Sequence, residues 1–111
     1  MTFDRITAFH AVLVMALSAM PSGANAEPFP DADLVNGREI HQSKRCASCH
    51  SEKTGREETF IYLRDDRKVR TLFDLRRTVS MCNMQLQLGL FPEDERDVAA
   101  YLNHHFYKLS Q

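Results

Sequence analysis

The sequence predicts a small all-α domain, and three observations carry that expectation. Apolar residues recur at helical spacing in three separate stretches. Residues that favour helix starts stand at the head of each one. No buried strand precedes Cys46–His50, the five residues around which the chain is organised.

Asp31 or Asp33 can cap a first helix running towards Arg45. Leu34, Gly37, His41 and Lys44 fall at i, i+3, i+7 and i+10, with Ile40 beside them, giving a partly apolar face. Gly37 costs about 1 kcal/mol relative to alanine inside a helix, which makes sense where a second helix must approach the backbone closely. His41 reads as a packing or surface residue rather than a ligand. Ser51 to Glu58 is polar, contains Gly55 and reads as a loop. The β-prone run Thr59 to Leu63, with Asp65 and Asp66 beyond it, reads as an irregular segment.

Thr71 can cap the middle helix, which is expected to run through Cys82 on a stripe of Leu72, Leu75, Val79 and Cys82. Asn83 to Phe91 reads as a loop, bounded at its end by Gly89 and Pro92. Pro92 suits the first turn of the last helix, and Glu93, Asp94 and Glu95 complement its dipole. That helix is expected to reach about Tyr107, with Val98, Tyr101, Leu102 and Phe106 on its buried side. His104 and His105 stand near its end, where they complement the dipole rather than bind a metal.

Residues 1–26 read as a secretory signal peptide. Arg5 gives a positive start, Ala8 to Met20 is an apolar run too short to span a bilayer, and Ala24-Asn25-Ala26 supplies a cleavage pattern. Export implies the periplasm, an oxidising compartment. Residues 27–111 then form one small domain, of a size that often relies on a disulfide, a metal or a cofactor. The absence of tryptophan suggests that something other than side chains fills its centre. A net charge of −1 points to neither nucleic acid nor a polybasic membrane surface. Arg64, Arg67, Lys68, Arg70, Arg76 and Arg77 make one region locally basic. They either form a solvated face balanced by Asp65, Asp66 and Asp74, or neutralise an anionic group or an acidic partner.

Cys46-Ala47-Ser48-Cys49-His50 is a C-x-x-C-H run, the pattern of a c-type haem attachment site. Two thiols on one helical turn can add to the two vinyl groups of one porphyrin. The histidine that follows can coordinate iron from the proximal side. A thioredoxin-like pair needs a βαβ context, which is missing. A zinc site wants four Cys or His ligands in paired spacing, and the remaining Cys82, His41, His104 and His105 form no second close pair. One covalent haem c, held by Cys46 and Cys49 with His50 on iron, is the expectation.

With the motif, a middle helix, a methionine before the last helix, and Asp94 to Leu102 (D-E-R-D-V-A-A-Y-L), the chain resembles the class I cytochromes c. The resemblance implies a small cytochrome c fold, in which the N- and C-terminal helices cross beside the haem, Gly37 against Tyr101, with a middle helix and an irregular loop. It also implies a methionine as distal iron ligand. Met84 matches best and Met81 second, although the interval from His50 is short and the usual neighbouring proline is missing. Cys82 is an inert small hydrophobe, a thiolate ligand or a bridge to a second molecule.

The function expected is that of a soluble periplasmic electron carrier, not an enzyme. It would pass electrons between redox partner proteins, a membrane-bound cytochrome or oxidoreductase among them. The alternatives are a haem-based gas-binding or catalytic protein with an open or thiolate-ligated distal site, and a cytochrome subunit of a larger oxidoreductase.

Overall fold

The computed structural model describes residues 28–57 and 59–111, so the leader expected at residues 1–26 lies outside it. The regular elements among the described residues are all helices, without a strand: α1 (Leu34–Ser43), α2 (Cys46–Thr54), α3 (Phe60–Leu63), α4 (Leu72–Leu86) and α5 (Pro92–Leu102). The last helix continues as a π-helical segment, Asn103–Tyr107.

The Asp33 carboxylate starts α1 by accepting from the backbone N–H groups of Val35 and Asn36 at 2.9 and 3.0 Å, satisfying two donors that have no partner inside the helix. The α1 helix crosses α5 where Gly37 removes a side chain from the interface. A Cβ there would stand 2.1 Å from the Asp97 carbonyl oxygen and 2.9 Å from Tyr101 Cβ. The close approach expected between Gly37 and Tyr101 is therefore present. The buried Asp97 carboxylate locks the crossing, accepting from Asn36 Nδ2 at 2.8 Å and from the Asp33 backbone N–H at 2.9 Å.

Three expectations need correction. The first half of the polar stretch after His50, Ser51 to Thr54, is helix and not loop. The α2 helix continues to Thr54 and ends at Gly55, whose φ of 64° suits a residue without a side chain. Its polar residues lie on a solvent-facing helix, and Thr54 Oγ1 donates back to the His50 carbonyl at 2.9 Å. Within the expected irregular segment, the β-prone run forms the single helical turn α3, because Tyr62 turns inward to 3% exposure; tertiary packing overrides β-propensity here.

The third correction concerns α4, which runs through Leu86 rather than stopping at Cys82. Its start is a capping box: the Asp74 N–H donates to Thr71 Oγ1 at 3.0 Å, and the Thr71 N–H donates to the Asp74 carboxylate at 3.0 Å. The helix ends only at Gln87, which adopts a left-handed φ of 51°. Asn83 fixes the return: its side-chain oxygen accepts from the Leu90 N–H at 3.0 Å, while its amide donates to the Leu90 carbonyl and to Glu95. Asn83 to Leu86 are thus the last helical turn, and only Gln87 to Phe91 form the connection.

The core gathers Phe29, Tyr62, Leu75, Val79, Val98 and Leu102, among others. Of the expected inward side of the last helix, Val98 and Leu102 are buried, with Tyr101 and Phe106 half-buried against them. The α4 helix packs on α5, and α2 packs on α1 and α3, but α2 and α4 make no extended contact with each other.

Candidate functional site

Cys46 opens α2 and Cys49 follows one turn later, so their side chains leave the same face. Arg45, at a φ of 54°, turns the chain out of α1 just before them. Cys46, Cys49 and Cys82 are all half-buried free thiols. The structure brings Cys82 of α4 within electrostatic reach of both cysteines of α2.

Burial pushes the Cys46 thiol above its ordinary pKa, and the neighbouring Cys82 raises it further. Burial also raises Cys82; Lys53 counteracts it and Cys49 adds to it. Both are protonated at neutral pH. Cysteines that drive disulfide exchange need the opposite shift. The helix N-terminus beside Cys46 would favour a thiolate, and burial outweighs it. The site does not have the electrostatics of a thioredoxin-type pair.

His50 is held below its ordinary pKa, by burial first and then by Lys53. Its imidazole is neutral at pH 7, the form that ligates metals. The His50 ring meets Tyr62 edge-on, with centroids 5.7 Å apart. Tyr62 in turn shares a 3.0 Å hydrogen bond with His41 Nε2, which makes the buried His41 a packing residue, as expected. Tyr62 stacks on Phe106 at 5.0 Å and meets Tyr107 at 5.7 Å. The guanidinium of Arg67 lies 6.0 Å above the Tyr107 ring. Burial drives the Tyr107 phenol up to about 12, against the pull of Arg67 and with a contribution from Cys82.

Among the described residues, two buried side-chain polar atoms lack a hydrogen-bond partner: His50 Nδ1 and Arg67 Nε. Both belong to this one cluster, linked through Tyr62 and Tyr107. An orphaned buried donor or acceptor costs about 1–3 kcal/mol. An imidazole nitrogen can bind a metal and a guanidinium an anion. Several cations of the basic region are balanced within the chain. Arg64 pairs with Asp66 at 2.5 Å, and Arg70 and Arg76 donate to the carbonyls of Asp65 and Pro28. Arg67 is half-buried, like Arg64, and donates through Nη1 to the Arg64 carbonyl.

The two candidate methionines are elsewhere. Met84 lies in the last turn of α4 and is 74% exposed; Met81 is 42% exposed. His104 and His105 are exposed at the far end of the chain. Among the described residues, no three His, Cys, Asp or Glu side chains converge on a common metal position, which leaves no ready-made zinc site.

Tyr62 and Tyr107 are the site residues that sequence reasoning passed over, and Arg67 was named only as one of six cations. The signal for Tyr62 was the apolar run Phe60-Ile61-Tyr62-Leu63 directly after a polar stretch. Arg67 carried no mark that separated it from the other cations around it. In comparisons with known proteins, no family, no curated protein and no solved structure matches the chain.

Proposed function

We propose that this chain is a single-haem c-type cytochrome that transfers electrons between redox partners in the periplasm. Cys46 and Cys49 would hold the haem through thioethers, and His50 would be the proximal iron ligand. The observation that carries the reading is that His50 Nδ1 and Arg67 Nε are buried atoms without partners, with the protonated Cys46 thiol on the same short helix as His50. Haem supplies what each lacks. It brings vinyl groups for the thiols, iron for the imidazole and propionates for the guanidinium, together with a one-electron couple.

The residues of the chain supply the rest. The α2 helix fixes the two thiols and the imidazole on consecutive turns, so one rigid element would carry all three attachments. Tyr62 limits rotation of the His50 ring, which holds the ligand in one orientation. Arg67 presents fixed positive charge that stabilises carboxylates in a half-buried site. No helix among the described residues is long and apolar enough to cross a membrane. That agrees with a carrier meeting its partners, a membrane-bound cytochrome or oxidoreductase among them, from the aqueous side. A second reading, a gas-binding or catalytic haem protein, is favoured by the outward position of Met84, the ligand implied by the resemblance to class I cytochromes c.

Covalent attachment tests the proposal. Haem is expected to stay with the denatured polypeptide of the native sequence. Cys46→Ala and Cys49→Ala should each weaken that retention, and Cys82→Ala should leave it intact. Complete extraction of haem from the native-sequence protein by acidified solvent would overturn the reading.

A further inference from the structure

Residues 78–92 are fifteen consecutive positions without a charge, in a chain of which 26% is Asp, Glu, Lys or Arg. An uncharged run of that length suits a core, yet part of it faces water. Successive residues turn by about 100° around a helix axis. Leu75 and Val79, 1% and 7% exposed, mark the buried face of α4. Arg77 lies about 180° round from that face, Met81 about 140° and Met84 about 160°. The exposures of Met81 and Met84, 42% and 74%, agree. A group held between the helices of this chain cannot cover that outward side.

Asn83 exchanges two 3.0 Å bonds with the Leu90 backbone and donates to Glu95 at 2.7 Å. Those bonds pin residues 87–91 and the first turn of α5 to the last turn of α4. Phe91, 72% exposed, therefore stands at the same corner of the molecule as Met84. Exposed Met and Phe side chains in a charge-free stretch have the composition of an interface core. The charges resume at its two ends with opposite sign, Arg76 and Arg77 before it and Glu93, Asp94 and Glu95 after it. Arg76 is engaged with the Pro28 carbonyl, Asp94 with Asn36 and the Phe91 N–H, and Glu95 with Asn83. Arg77 and Glu93, both exposed, are the flanking charges available to a partner.

We propose that this corner docks a second copy of the chain, in a twofold dimer. Met84 and Phe91 of each copy pack against the other, and Arg77 of each stands opposite Glu93 of its partner. Charge complementarity selects this occupant. A partner surface of one sign would attract one flank and repel the other. A copy turned through a twofold axis presents the same patch with its ends exchanged, so both flanks are matched at once. The two charge pairs then fix the register, while the apolar side chains supply the affinity. The inference is independent of what the Cys46–His50 site holds, because the docking face is the opposite side of α4 from the core.

The test is analytical ultracentrifugation of the mature chain as isolated from cells that export it, over a wide concentration range. A reductant is present throughout, so that no disulfide contributes. The native sequence should sediment as a dimer that dissociates on dilution. Met84→Glu should weaken self-association about tenfold or more. Arg77→Glu and Glu93→Arg should each do the same, since each sets like charges opposite one another across the axis. Mixing those two single variants should restore a dimer, because both cross-axis pairs of the mixed species are again opposite in sign. The double variant Arg77→Glu/Glu93→Arg should also recover self-association. Circular dichroism checks that each variant keeps the native helix content. A native chain that stays monomeric at every concentration would overturn the proposal, and that measurement needs no variant to fold. Dimers that persist unchanged in Met84→Glu, or single variants that fail to pair when mixed, would overturn it as well.

Discussion

Gly37 packs directly on the backbone of Asp97: a methyl group at position 37 would fall 2.1 Å from the Asp97 carbonyl oxygen. A backbone atom cannot swing aside as the end of a side chain can. The helices α1 and α5 must therefore separate if any side chain is added. Gly37→Ala should destabilise the protein by about 2 kcal/mol or more, despite alanine's better helix propensity. Chemical denaturation would measure it, and a gain in stability would contradict the packing argument.

The same crossing holds a polar lock. Asp97 is 5% exposed and accepts from Asn36 and from the Asp33 backbone. Asp97→Ala should cost about 1–3 kcal/mol, because those donors lose their partner in a site with little water. A double-mutant cycle with Asn36→Ala should return a coupling energy of about 1 kcal/mol between the two side chains.

Acid should weaken the start of α4. The Asp74 carboxyl is held below its ordinary value of 3.8, first by the Thr71 hydroxyl interaction and then by the backbone N–H of Arg70. A depressed folded-state pKa contributes stability above the unfolded value and loses it as pH falls through the folded one. The native protein should therefore lose stability below about pH 4 more steeply than Asp74→Asn. Parallel acid titrations followed by circular dichroism would show whether the two curves diverge.

On the proposed haem reading, folding should depend on the cofactor. Among the described residues, Leu75 is the only large side chain below 2% exposure. That core is small against the conformational entropy of a chain this long. The haem-free mature chain should be largely unfolded and gain helix on haem attachment. A cooperative thermal transition in the apoprotein, with native-like helix content, would count against this.

Periodicity and caps were enough to find α1, α4 and α5. Asp33, Thr71 and Pro92 mark their starts through local chemistry that needs no tertiary partner. The ends were harder. The α4 helix passes Cys82 because Asn83 bonds across the following turn to Leu90 and Glu95, a long-reach arrangement with no local signature. That one misplaced boundary also put Met84 in a loop, where its sulfur seemed free to swing inward. Cys46, Cys49 and His50 were visible as a motif because their chemistry is fixed by spacing. Tyr62 was not, and Arg67 could not be told from the cations around it, since what distinguishes them is packing against residues far along the chain.

The π-helical segment Asn103–Tyr107 amounts to a helix carrying one residue more than its turn requires. The bond from the Lys108 N–H to the Asn103 carbonyl at 2.8 Å spans that surplus, and the Asn103 side chain ties off the tail through both backbone groups of Leu109. The extra residue sets the phase in which Phe106 and Tyr107 both meet Tyr62. Deleting His104 or His105, both exposed, would restore a regular helix and rotate whatever follows by about 100°. One of the two rings would then leave Tyr62. Chain length at this point is therefore under tighter constraint than side-chain identity: His104 and His105 should accept many substitutions, and neither should accept removal.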